Sequence, residues 1–159
     1  MTAVVSLGSN LGDRGARLRR GVEVLGMHCA VQVVSAVYET AAVGLTDQPA
    51  FLNVVAFLDT ADPEAAFVAA QSAENSQGRL RSRRWGPRSL DVDIIDVDGR
   101  ISTDPRLTLP HPRAHERAFV LVPWLDLDRA ATLPGHGPVR RLVAGLADQD
   151  VRRVADRLR

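Results

Sequence analysis

Apolar and polar positions alternate along this chain with two different periods. Residues 3–7 form a short β-branched apolar run closed by Gly8-Ser9-Asn10, which predicts a first strand. Asp13 stands where a helix N-cap belongs. Leu18, Val22 and Leu25 share one helical face and Gly26 follows as a stop, so a helix is expected to about residue 25. Residues 31–38 and 51–58 read as the second and third strands, separated by a loop over 40–50 that carries Gly44 and Pro49. Asp62-Pro63-Glu64 opens a second helix with a cap, a first-turn proline and an acid near the positive end; it runs to about residue 77. A basic loop over 79–89 leads into a fourth strand, residues 90–97, and Asp98-Gly99 turns the chain toward a short strand near Ile101. Three prolines make 105–113 irregular. A short helix is expected over 114–122, and two amphipathic helices over 138–146 and 148–158. The order βαββαβ predicts an α+β, ferredoxin-like core, an antiparallel sheet with helices on one face, followed by C-terminal helices.

With 159 residues, the chain is expected to be a single domain over its whole length, residues 1–159. Apolar residues are 45% and charged residues 25%, which excludes a disordered chain. No run approaches the roughly 20 apolar residues of a membrane span, and the first residues do not read as a secretory signal. Cys29 is the only cysteine, so neither an intrachain disulfide nor a Cys-based zinc site is expected; a reducing cytoplasm is. All 20 basic residues are Arg, against 19 acidic ones. The absence of Lys removes Schiff-base chemistry and the Walker lysine. The near-zero net charge argues against a nucleic-acid partner.

Two features carry chemistry. Asp91 and Asp93 lie two residues apart in the fourth strand, so their side chains share a face, with Cβ atoms ~7 Å apart. A divalent cation between them would relieve their repulsion; a solvated strand face is the plain alternative for an isolated pair. The second feature is the basic loop with Arg79, Arg81, Arg83, Arg84 and Arg88. Guanidinium forks three residues from paired carboxylates suit a nucleoside triphosphate: metal on the acids, phosphate oxygens on the arginines. The glycines of Gly8-Ser9-Asn10-Leu11-Gly12 match neither dinucleotide nor Walker fingerprints and read as a strand-to-helix turn. His111 and His115 have helical zinc-pair spacing, but Pro112 interrupts it. A structural or phosphate-binding role suits His111 better, and His115 stays open.

Four stretches together resemble the 6-hydroxymethyl-7,8-dihydropterin pyrophosphokinase family of folate biosynthesis: VSLGSNLGDR (5–14), YETAAVGLTDQPAFLN (38–53), RWGPRSLDVDII (84–95) and LTLPHPRAHERAFVLVPW (107–124). The third fits the family signature throughout. The resemblance implies transfer of pyrophosphate from ATP to the pterin hydroxymethyl group, releasing AMP. It implies two Mg²⁺ on Asp91 and Asp93. It also implies catalytic roles for Arg79 and Arg88, and nucleotide contacts from Gln71, Glu74, Arg81, Trp85, Ile94, Arg106, Thr108, His111 and Arg117. The pterin is expected between the rings of Phe51 and Phe119, with Asn53 and Thr40 on its edge and main-chain groups around Ala41 and Val43. The loops over 40–50 and 79–87 are expected to close over both substrates. The partners implied are ATP and the pterin, with no nucleic acid or membrane, and the chain is expected to act as a monomer. Departures from the family pattern are Ala41-Ala42 where many members carry proline, a loop between Arg81 and Trp85 one residue shorter than in some members, Pro112 where some carry tyrosine, and Phe51 without a phenol hydroxyl. None removes a metal or phosphate ligand.

Two rival classes fit less well. An RNA-binding module on the same sheet wants stacked aromatics in an RNP pattern, which no strand shows, and leaves Asp91 and Asp93 unexplained. A regulatory small-molecule module leaves the arginines unexplained.

Overall fold

The computed structural model describes residues 1–41, 48–77 and 89–158. Five strands of the main sheet are β1 (Thr2–Ser9), β2 (Ala30–Val34), β3 (Val37–Thr40), β4 (Phe51–Asp59) and β5 (Asp91–Val97). A sixth, β8 (Val151–Ala155), closes one side; the strand order is β5-β1-β4-β3-β8, with β2 also on β4. Every pairing is antiparallel. The helices α1 (Arg14–His28) and α2 (Pro63–Asn75) connect the strands as the βαββαβ order predicts.

Local chemistry accounts for the helix starts. The Asp13 carboxylate accepts from the Ala16 N–H at 3.0 Å, and that of Asp62 from the Ala65 N–H at 2.8 Å, each satisfying a donor the helix cannot. Alpha-1 buries Leu18, Gly21, Val24 and Leu25, whereas α2 buries Ala66, Ala69, Ala70 and Ala73. These i, i+3, i+4 and i+7 alanines let the two helices pack closely on the sheet face lined by Ala3, Val5, Leu7, Val92 and Ile94. Gly21 sets the height of α1: a Cβ there would lie 2.8 Å from Leu90 Cδ2 and 3.1 Å from Leu7 Cδ2. The helix thus rests on the residue that leads into β5. Burying each large aliphatic of this layer stabilises the fold by about 1.5–3 kcal/mol.

The core helices lie on one face, as expected, but the C-terminal third covers the other. Val4, Val55 and Ile95 point away from α1 and α2 and pack on Val120, Leu121 and Trp124 of α3 (Ala118–Leu127) and Val139 of α4 (Val139–Ala144). Between α3 and α4 lies a hairpin of β6 (Thr132–Leu133) and β7 (Gly137–Pro138).

Four expectations are corrected. The helix expected over 148–158 is instead the edge strand β8 on β3. Val151, Val154 and Leu158 fit a helical period, but a helix there would leave the backbone N–H and C=O groups along the edge of β3 unpaired, whereas a strand pairs them; Arg152 to Glu39 at 2.8 Å adds to this pairing. The second strand is broken at Ser35-Ala36, where the buried Ser35 hydroxyl accepts the Val55 N–H at 2.9 Å and the Ala36 N–H leaves the sheet to donate to the Asp126 carboxylate at 2.9 Å. The strand near Ile101 reduces to one bridge, Ser102 to Leu109. The helix expected over 114–122 splits into a 3-10 turn (Ala114–Glu116) and α3, which runs on through Pro123. An interior proline costs about 3 kcal/mol, and the burial of Leu121 and Trp124 on the sheet offsets it.

A β-bulge in β5 sets Ile95 against the second core layer and turns Asp96 inward. Asp96 is 8% exposed; its Oδ2 accepts from the Gly99 N–H at 3.1 Å, and its Oδ1 has no partner among the described residues. Burial pushes its pKa above the usual carboxylate range, with the nearby Asp98 charge adding to the rise. The folded state therefore holds this proton to higher pH than the unfolded chain does. Stability from this site is full below the ordinary Asp range and is lost as pH rises through the folded value. Asp96→Asn should remove that loss and melt higher than the parent at pH 7, with the gap narrowing toward pH 4. Thermal melts across that range check it; parallel curves for the two proteins would refute it.

Candidate active site

One end of the sheet, on the face toward α3, carries Asp91, Asp93, Phe51 and Asn53. Beta-5 pairs with β1 so that Asp91 faces Gly8 and Asp93 faces Ser6; β1 pairs with β4 so that Gly8 faces Asn53. Asp91, Gly8 and Asn53 thus stand in one row across three strands, the outer two about 10 Å apart. Val92 and Ile94 are buried toward α1 and α2, so Asp91 and Asp93 look to the other side, as the period-two pattern requires. Gly8 has a reason to be glycine: a Cβ there would come 3.0 Å from Asn53 Oδ1 and 3.8 Å from the Phe51 ring.

The acid end is faced by one guanidinium and one imidazole. Asp93 is half-exposed, and Arg117 Nη1 donates to its Oδ2 at 3.5 Å. His111 Nε2 lies 3.9 Å from Asp93 Oδ1. The Arg113 N–H donates to His111 Nδ1 at 3.2 Å, which leaves the Nε2 hydrogen aimed at the carboxylate. Burial pushes the His111 pKa below the ordinary imidazole range; Asp93 opposes that shift, while Arg117 and Arg113 reinforce it. His111 is fixed by its own N–H on the Ile95 carbonyl at 2.9 Å. Glu74 of α2 accepts the Val92 N–H at 2.9 Å, which holds the free edge of β5 between the two acids.

Along that edge runs a cleft of about 330 Å³ between α2 and the 105–112 loop. Gln71, Glu74, Asp93, Ile94, Arg106, Thr108 and His111 all line it, so the structure brings together seven of the residues read from the sequence. Arg106 is exposed at the mouth, where it pairs with Asp104 at 3.3 Å and Glu64 at 3.4 Å. Phe67, Ala70 and Leu107 form the apolar wall; nothing in the sequence distinguished them from core residues.

At the other end, Asn53 is 2% exposed and donates from Nδ2 to the Thr40 hydroxyl at 3.0 Å. Phe51 pairs with Thr40 across β4 and β3 and shares the face of Asn53. Phe119 lies in the first turn of α3, with the Arg117 guanidinium 5.6 Å from its ring centroid. Ala41 ends the described part of its loop. Val43, Arg79, Arg81, Arg83, Arg84, Trp85 and Arg88 lie outside the described residues, so the cation cluster is not part of this geometry.

The donor set suits Mg²⁺. Two carboxylates share a face, opposite a residue without a side chain and a serine. Magnesium takes one or two hard carboxylate oxygens and fills its remaining positions with water and phosphate.

Comparison with known proteins places the chain in a family and a fold. The profile of the 7,8-dihydro-6-hydroxymethylpterin-pyrophosphokinase (HPPK) family matches residues 4–129. A 2-amino-4-hydroxy-6-hydroxymethyldihydropteridine pyrophosphokinase of Mycobacterium bovis is 46% identical, over 94% of this chain and 88% of that one. The protein of the same name from Methylorubrum extorquens is 41% identical, over 96% and 98%. Among solved structures, wild-type Plasmodium falciparum HPPK-DHPS with pteroate superposes with a TM-score of 0.71 at 11% identity, covering 92% of this chain and 44% of that one. The last is a likeness of fold alone.

Proposed function

The chain belongs to the 7,8-dihydro-6-hydroxymethylpterin-pyrophosphokinase family, a family of folate-pathway transferases, and on that premise we propose a division of labour across its site. The nucleotide lies in the cleft beside β5 and the pterin at Asn53. The hydroxymethyl oxygen attacks the β-phosphorus of ATP and the bond from that phosphorus to the α-β bridging oxygen breaks. AMP departs and the hydroxyl proton is released to solvent.

The row Asp91–Gly8–Asn53 supports this reading most directly. It sets a phosphate-side group and a heterocycle-side group on one rigid face about 10 Å apart, with nothing larger than a glycine between them. Asp91 and Asp93 would hold two Mg²⁺ ions, which when bound neutralise the triphosphate charge. Arg117 and the Nε2–H of His111 donate to phosphate oxygens while keeping Asp93 oriented. Gln71, Glu74, Ile94, Arg106 and Thr108 shape the nucleotide cleft, and Arg79, Arg81, Trp85 and Arg88 belong to it by resemblance. Phe51 and Phe119 offer ring faces to the flat pterin, and Asn53 and Thr40 read its polar edge with help from Ala41 and Val43. Positioning and charge stabilisation carry the transfer, and no covalent nucleophile is needed. The chain acts as a monomer in the cytoplasm.

Product analysis tests this. Mg-ATP and 6-hydroxymethyl-7,8-dihydropterin should give AMP in a pterin-dependent way. ADP in place of AMP, or no turnover by folded protein, would overturn the reading.

A further inference from the structure

Arg117 occupies an awkward place in the chain. It is the N-cap of α3 with extended backbone (φ −114°, ψ 99°), and its side chain makes no capping bond. Arginine is a poor cap, because its guanidinium only donates while the first turn needs an acceptor. That side chain is instead committed to Asp93 and the Phe119 ring. The cap comes from far along the chain. Gln149 Oε1 accepts the Ala118 N–H at 2.9 Å, and Gln149 Nε2 donates to the Glu116 carbonyl at 2.9 Å. One amide therefore brackets the two peptide groups on either side of Arg117. Gln149 is itself held by its N–H on the Leu146 carbonyl at 3.0 Å. A second tie reaches the same turn: His136 of the hairpin stacks on His115 with ring centroids 4.1 Å apart. Both Gln149 and His136 lie beyond residue 129, where the family profile match ends.

We infer that Gln149 is a positioning residue for this site: its amide fixes the peptides around Arg117, and so the guanidinium facing the phosphates and the Phe119 ring facing the pterin. The inference rests on the proposed function, since it assigns those two side chains to the substrates. The last segment of the chain thereby acquires a task in substrate binding as well as in covering the sheet.

Gln149→Ala is the direct test, with KM for each substrate, kcat and melting temperature measured on the full chain. Loss of both bonds should raise KM for ATP and for the pterin about tenfold while kcat falls less than threefold. In an Arg117→Ala background, the same substitution should change KM for ATP less than twofold, because the group it positions is gone. A purely structural role would lower the melting temperature with both KM values unmoved, and that result overturns the inference. Gln149→Glu keeps an acceptor for the Ala118 N–H and loses only the donor, so it should raise both KM values about threefold. Should the alanine variant not fold, wild-type KM values in the glutamate variant overturn the inference. Absence of AMP formation by the parent protein would strike the proposed function itself, whereas an active parent with unaffected Gln149 variants strikes only this assignment.

Discussion

Replacing Asp93 by alanine should lower kcat by about a thousandfold or more while leaving the fold intact. Asp93 is where the charges of the site converge: Arg117 lies 3.5 Å and His111 3.9 Å from its two oxygens. Its removal deletes one of two acids that would hold Mg²⁺ and leaves those two donors without the group that orients them. A loss of ~4 kcal/mol of transition-state stabilisation corresponds to about three decades in rate. Stability should change little, because Asp93 is half-exposed and such ion pairs contribute ~0–1 kcal/mol. Single-turnover AMP formation, with a Mg²⁺ titration and a thermal melt, separates these effects. Asp93→Asn, which keeps the shape and removes the charge, should lose nearly as much. Near-parental turnover in either variant would end the metal assignment.

Asn53→Ala should weaken pterin binding about a hundredfold and leave ATP binding in the absence of pterin unchanged. Asn53 is buried among strands, and its amide is pinned by the Thr40 hydroxyl at 3.0 Å and by the proximity of Gly8. A pinned amide presents one donor and acceptor pattern to a heterocycle edge. On the proposed function its loss would strip the pterin of a partner, and it leaves the Thr40 hydroxyl without the donor it now accepts from. Two such losses of 1–3 kcal/mol each reach the two decades expected. Direct binding measurements of each substrate decide the matter: equal weakening of both would mean a general disturbance of the sheet, and unchanged pterin affinity would remove Asn53 from the site.

Much of this architecture is legible in one dimension because its determinants are local. Asp13 and Asp62 cap helices through bonds that span three residues. The shared face of Asp91 and Asp93 follows from strand geometry alone. The β-branched runs at residues 3–7, 31–38, 51–58 and 90–97 found their strands, with ends shifted by a residue or two and one break. The resemblance in four stretches supplied the activity, which paired acids and arginines alone pointed to only as triphosphate chemistry.

Other features depended on distant parts of the chain. Residues 151–155 carry a helical period yet form a strand, because the edge of β3 lies beside them only once the sheet exists. Gly8 reads as part of a turn until β4 brings Asn53 against it. Gln149 sits in a polar stretch with no motif, and only the approach of α3 makes its amide a cap.

The division has a physical cause. Capping, side-chain alternation and turn chemistry act over one to four residues, so the sequence by itself determined the βαββαβ core elements, the shared face of Asp91 and Asp93 and, through its motifs, the family. Which strand borders which, what covers the second face of the sheet and which amide braces Arg117 depend on partners between 24 and 113 residues away. Those pairings exist only after burial of the two apolar layers has brought the segments together, and the tertiary structure alone decided them.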